Sequence, residues 1–336
     1  MSAPMPRLAP ATIATLFSSD ICGFPSCLGH GCRTVTPAAR VRPATAYRAR
    51  PPLSGFRAGQ VAGNSKEGGT MAGEGGQLEG RVAVVTGGSR GIGEAIAVRY
   101  AMEGARVALA ARTVNEGDHR LLSGSLTGVA ARIEAAGGEA LGVACNLFEA
   151  ADRERLIETT EAELGPVDIL VNNGAVTWYS PIDAFDAEKQ RVMFEVQVHA
   201  AVHLSQLVAE GMSERGWGAI VNMSSGSALH PELGAATHGG TIYGMCKSAL
   251  ERFSTGFAAE QPAIAVNAIQ PGLIATPGVE YFGIINDENR DRVTPVEHVA
   301  EACLRLAVNE PSMISGRIVT TAEVLEEFDL TPSELP

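Results

Sequence analysis

Three scarcities bound what this 336-residue chain can be. It has no run of 18 or more apolar residues, so no membrane-spanning helix is expected. Its six cysteines lack the paired spacing of a disulfide framework, which points to a reducing compartment, with the cytoplasm as the expected location. Basic residues also run short. The net charge is −12; residues 1–70 hold eight Lys and Arg against two acids, and the remainder holds 18 against 36. So acidic a body repels nucleic acid, and no basic patch offsets it.

Residues 1–79 are rich in Pro, Gly, Ala, Ser and Arg, show no sustained helix or strand period, and read as a disordered extension. The rival reading is a transit peptide, which would place the protein in an organelle; a third is that Met71 is the natural start. Cys22, Cys27 and Cys32 with His30 match no common zinc spacing. Glu195, His199 and His203 recur at four-residue intervals on a predicted helix, where packing or a subunit interface explains them without a metal.

The rest of the chain is organised around Val82-Ala-Val-Val-Thr86-Gly87-Gly-Ser89-Arg90-Gly91-Ile92-Gly93. A short β-branched run reads as a buried strand, three glycines turn the chain sharply, and Ala95 to Met102 recurs at helical spacing. Bare N–H groups and the positive end of a helix dipole then face one point, an anion site where a Cβ would block a pyrophosphate. Gly87, Ser89, Arg90, Gly91, Ile92 and Gly93 are the expected contacts.

With 45% hydrophobic residues the chain can bury a large core. Strand-length runs near 82–86, 106–111, 140–144, 168–172, 219–224, 264–269 and 317–321 alternate with helical patterns near 91–104, 124–137, 149–164, 187–214, 241–260 and 295–308. Regular β-α alternation predicts an α/β fold: one doubly wound domain over 80–336, with about seven mainly parallel strands and helices on both faces. Ligands of such sheets bind beyond the strands' C-terminal ends.

The second strand ends in Ala111-Arg112, near where dinucleotide folds often carry an acid that bonds the ribose and repels a 2′-phosphate. Arg90 and Arg112 without a carboxylate favour NADP(H), with NAD(H) as the alternative. Asn146-Leu147 closes the third strand with a side chain that can bond an adenine edge; Asn172-Asn173-Gly174-Ala175 closes the fourth with residues small enough for a cofactor to lie on backbone. The polar loop 112–125 is longer than a β-α connection needs and is expected to flank the adenosine half.

Ser224-Ser225 ends the fifth strand, and Tyr243-x-x-x-Lys247 opens the next helix. That spacing puts a phenol and an ammonium on one helix face. A free tyrosine titrates at roughly 10, too high for transfer near neutrality, and a neighbouring ammonium and a cationic nicotinamide both favour the phenolate. Tyr243 can then act as acid or base, Lys247 can also hold a ribose, and Ser225 can bond the substrate oxygen as charge develops.

Together, Thr86-Gly-Gly-Ser-Arg-Gly-Ile-Gly93, Asn172-Asn-Gly-Ala175, Ser225, Tyr243-x-x-x-Lys247 and Pro271-Gly272-x-x-x-Thr276 resemble the motifs of the short-chain dehydrogenase/reductase family from about residue 78 to 321. A weaker likeness is to its hydroxysteroid-dehydrogenase-like members. The resemblance implies a Rossmann-like fold and hydride transfer between a nicotinamide cofactor and a carbonyl or alcohol. It also implies that Pro271, Gly272, Ile274 and Thr276 border the nicotinamide carboxamide, and that the chain forms a homodimer or homotetramer on helices 187–214 and 241–260.

The chain departs from the family pattern in several places. Gly174 and Ala175 are swapped relative to the usual Asn-Asn-Ala-Gly, Asn146 replaces an Asp, and Gln197 stands where the family's fourth catalytic residue, an Asn, holds a relay water beside the Lys. His230 to Gly240 lengthens the gap between Ser225 and Tyr243 and should border the substrate pocket. Arg317 to Thr321 lacks the family's Asp-Gly-Gly ending. Cys246 is expected in the core. Trp178, Tyr179, Tyr281 and Phe282 either shape a pocket for a moderately bulky apolar substrate or simply pack. The expected activity is that of an NADP(H)-preferring carbonyl reductase or alcohol dehydrogenase on a small carbonyl or alcohol. The rival is an NADP(H)-binding sensor or scaffold that has lost turnover.

Overall fold

The computed structural model describes residues 76–232 and 239–336. The Cys22–Cys32 group, Met71, most of the N-terminal extension and residues 233–238 of the loop before Tyr243 lie outside them.

Seven strands make one parallel sheet: β1 (Val82–Thr86), β2 (Arg106–Ala111), β3 (Glu139–Ala144), β4 (Ile169–Asn172), β5 (Ala219–Met223), β6 (Ala265–Gln270) and, past a two-residue pair β7 (Leu273–Ile274) and β8 (Val293–Thr294), β9 (Ile318–Thr320). Their order is β3-β2-β1-β4-β5-β6-β9. Every pairing is parallel, with Val85 flanked by Leu109 on one side and Val171 on the other. Order reverses between β1 and β4, and there the crossovers leave a crevice beyond the strand ends.

Side-chain alternation on the strands sets the two layers. Ala83 and Val85 pack with helices α1 (Gly91–Met102), α2 (Leu126–Ala135) and α8 (Val296–Val308). Val82 and Val84 pack on the other face with Leu156 and Ile157 of α3 (Ala150–Glu163) and Leu204, Val208 and Met212 of α5 (Ala200–Glu214). All five β1 residues are buried, which explains its unbroken apolar run.

The predicted helix over 187–214 is not uniform. It runs as α4 (Ala187–Phe194), widens to one π-turn at Glu195–His199, where the Ala200 N–H bonds the Glu195 carbonyl, and resumes as α5. Helix α6 (Thr241–Glu260) has the expected bounds. Besides three single 3-10 turns, the elements that went unpredicted are β7 and β8, the short α7 (Pro277–Tyr281), and α9 (Thr321–Glu327). The last strand stops at Thr320 because that residue caps α9 in a box with Glu323.

Candidate active site

The turn after β1 is closed by backbone and side-chain bonds that leave no place for a Cβ at Gly87 or Gly93. A Cβ at Gly93 would collide with the Gly87 carbonyl and stand 2.5 Å from Asn173 Nδ2. Asn173 donates from that amide to the Thr86 carbonyl at 2.8 Å, and Thr86 Oγ1 accepts from the N–H groups of Asn173 and Gly174. The Asn173 side chain therefore braces the ends of β1 and β4. Ser89 is buried and Ile92 half-buried, with Ile92 packed on the core. Across the crevice, Thr276 caps α7 and its Cγ2 lies 3.1 Å from where a Gly91 Cβ would be. Pro271 is held from behind by Thr321, which donates to its carbonyl at 3.2 Å, and Ile274 is buried. The predicted glycine-turn and Pro271–Thr276 residues thus converge on one cleft.

The two predicted arginines, near the ends of β1 and β2, differ. Arg90 donates to the Ser123 carbonyl at 2.7 Å, the Gly124 carbonyl at 2.7 Å and Thr113 Oγ1 at 3.1 Å, so it clamps the long 112–125 loop. Burial pulls its guanidinium somewhat below the ordinary range. Arg112 is exposed at the end of β2. Asn146 turns its carbonyl to the Phe148 N–H at 3.3 Å. Leu147 fills the space that a Cβ on residue 174 would need, which is the physical reason Gly174 tolerates the swap; Ala175 is exposed. With glycine where a Cβ would clash at the turn and no acid at the end of β2, these residues fit a dinucleotide.

At the end of β5, half-buried Ser225 lies beside half-buried Tyr243 and acts to lower the phenol's pKa. Lys247, 3% exposed, donates to the Met223 carbonyl at 2.8 Å, with its nitrogen 5.5 Å from the Tyr243 ring centre. Burial pushes Tyr243 up to about 12, helped by the neighbouring Tyr179 and opposed by Ser225. In the protein alone, burial sets the direction of the Tyr243 shift, and Lys247 is not among the groups that oppose it. Burial pulls Lys247 down to about 8.

Gln197 is buried inside the π-turn and donates to the Val176 carbonyl at 2.7 Å. Among the described residues, neither Gln197 Oε1 nor Asn172 Oδ1, both buried, has a hydrogen-bond partner. Both residues line a small cavity with Thr86, Gly174 and Lys247, with about 10 Å³ of room for a water's centre. Glu195, in the same turn, is taken by Arg153 at 2.9 Å and His199 at 2.8 Å. Cys246 is fully buried beside Met193 and Ile242.

Sequence reasoning missed Glu251. This buried carboxylate, one turn beyond Lys247, accepts from Ser224 Oγ at 2.6 Å and from Gln270 Nε2 at 2.8 Å. It ties α6 to the residue before Ser225 and the residue before Pro271. Its four-residue spacing from Lys247 was the available signal.

The short chain dehydrogenase family model matches residues 81–283. The chain is 33% identical to a tropinone reductase homolog of Arabidopsis thaliana, over 67% of this chain and 80% of that protein. It is 30% identical to the 7alpha-hydroxysteroid dehydrogenase of Escherichia coli K12, over 73% and 94%. Among solved structures it resembles a 7 alpha-hydroxysteroid dehydrogenase complexed with NADH and 7-oxo glycochenodeoxycholic acid, at a TM-score of 0.63 and 29% identity, covering 72% of this chain and 93% of that one. A 3-oxoacyl (acyl-carrier-protein) reductase from Agrobacterium tumefaciens with NADP bound gives a TM-score of 0.63 and 30% identity, covering 72% and 93%. The glycine turn, the parallel sheet and the extent of these matches agree: this chain is a member of the short-chain dehydrogenase family of NAD(P)-dependent oxidoreductases.

Proposed function

We propose that the protein is an NADP(H)-preferring carbonyl reductase or alcohol dehydrogenase, with Tyr243 as its acid and base. The observation that carries the reading is the buried Lys247 ammonium 5.5 Å from the centre of the Tyr243 ring, with Ser225 beside that phenol at the end of β5. When bound, the nicotinamide supplies or accepts the hydride. Gly87, Ser89, Arg90, Gly91, Ile92 and Gly93 would hold the pyrophosphate side, with Asn146 and Leu147 at the adenine. Asn173, Gly174, Ala175 and Lys247 would lie by the nicotinamide ribose, and Pro271, Gly272, Ile274 and Thr276 by the carboxamide. Arg112 would meet a 2′-phosphate, with Arg90 fixing the loop around it.

In reduction the carbonyl carbon gains the hydride, the C=O π pair moves to oxygen, and that oxygen takes the Tyr243 proton. Ser225 donates to the oxygen as charge grows. A neutral phenol is the form this step requires, and Lys247 stabilises the phenolate left behind. The cavity beside Lys247 has roughly the size of one water, and such a water can accept from Lys247 and donate to the Gln197 and Asn172 oxygens. Gln197 thereby serves the return of a proton to the site. The reading includes residues 80–336 as one domain behind an N-terminal extension, a homodimer or homotetramer, and a cytoplasmic location.

The test mixes purified protein with NADPH and a panel of ketones. Loss of NADPH absorbance, abolished by Tyr243→Phe, is expected. No turnover together with no cofactor binding would remove the reading, while NADPH binding without turnover would mark a sensor.

A further inference from the structure

The four aromatic residues expected near the substrate pocket do not share one fate. Trp178 turns inward, half-buried against Met193, Ile242 and Cys246, with Lys189 5.8 Å above its ring. Tyr179, Tyr281 and Phe282 stay 39%, 43% and 42% exposed, yet they are not scattered. Tyr179 touches Tyr243 at 6.1 Å between ring centres and Phe282 edge-on at 5.7 Å; Phe282 meets Tyr281 at 5.4 Å. The rings come from three separate segments: the stretch after β4, the start of α6, and the end of α7.

We propose that Tyr179 and Phe282 form a specificity wall beside Tyr243 that selects neutral, flat ring ketones. This rests on the reading of Tyr243 as the proton donor. The Tyr179 ring stands beside Tyr243 and its hydroxyl acts on the Tyr243 phenol, so a ketone whose oxygen reaches that phenol has the Tyr179 ring as a neighbour. Exposed apolar area gathered at one point marks a ligand surface rather than ordinary packing. Ring faces and edges reward flat apolar groups through offset or edge-on contact and add nothing for a short flexible chain. The buried Lys247 ammonium disfavours a cationic substrate, and an anionic one would enter against an acidic body that carries 18 basic against 36 acidic residues beyond residue 70.

The experiment measures kcat/KM with NADPH for 2-tetralone, 2-butanone and acetoacetate in the full-length protein. Preference for 2-tetralone is expected, and Tyr179→Ala and Phe282→Ala should each cut the ratio of 2-tetralone to 2-butanone about tenfold. Tyr179→Leu, which keeps apolar volume, serves if the alanine variant fails to fold, and the same direction is expected. A ratio unchanged within twofold, or a preference for acetoacetate, overturns the proposal while leaving the reductase reading intact. Fluorescence anisotropy of 2-naphthol, a flat ring alcohol, separates the two ideas. Binding that Tyr179→Leu weakens, with no ketone turned over, would retain the wall and remove the reductase; no binding and no ring preference would remove the wall.

Discussion

The two ends of the cleft are built on opposite plans. At the glycine turn Asn173 and Thr86 lock the backbone in place, and a single added carbon at Gly93 meets the Gly87 carbonyl. At the far rim, Tyr179, Tyr281 and Phe282 stand in water, and the loop before Tyr243 carries exposed Leu229. A close-packed turn can recognise one shape and tolerates no growth, whereas a rim of loosely held rings can be re-cut by substitution without disturbing the sheet. What the family shares is therefore expected in the turn, and what distinguishes this member in the rim.

The comparison can be broken first where the two ends meet. Tyr243→Phe removes the proton donor and should lower kcat roughly a thousandfold with NADPH affinity nearly kept, as stopped-flow reduction and cofactor titration would show. Gly93→Ala should weaken NADPH binding on the order of a hundredfold by calorimetry, because the Cβ meets backbone that cannot move aside. On the rim, Leu229→Ala should change stability by less than about 0.5 kcal/mol in urea titration. Equal losses at Gly93 and Leu229 would erase the distinction. Glu251→Ala strands the buried Ser224 and Gln270 donors and should destabilise the fold by about 2–4 kcal/mol, with Glu251→Gln recovering most of it through the retained acceptor.

Smaller effects sharpen the picture. Reduction measured as kcat/KM against pH should decline above about pH 8, where Lys247 loses its proton and its charge, while Tyr243, pushed up to about 12, stays protonated. A profile flat to pH 10 would count against that assignment. Arg112→Ala should weaken NADPH about tenfold more than NADH. Arg90→Ala should weaken both cofactors alike, because that guanidinium clamps the loop carbonyls of Ser123 and Gly124.

The strands and the turn were legible because they obey local rules: β-branched runs, three glycines, an abrupt change to helical spacing. Tyr243 and Lys247 could be placed on one face by spacing alone. Arg90 could not, because its partners are backbone carbonyls some thirty residues away, and backbone carbonyls carry no mark in a sequence. The Leu147–Gly174 complement was hidden for the same reason: it is a contact between two strand ends. The β7–β8 pair is too short to show a period, but Thr320-x-x-Glu323 was a readable cap, and α9 could have been found.

The wide turn at Glu195–His199 gives chain length a meaning here that side-chain identity does not have. A copy lacking Val198 or His199 would wind straight through, rotating Gln197 by about 100° relative to α5 and carrying its amide away from the cavity it lines with Lys247. Exchanges of one residue for another in this turn are repairable; a deletion is not, and insertions and losses should be rarer there than in the loops on either side.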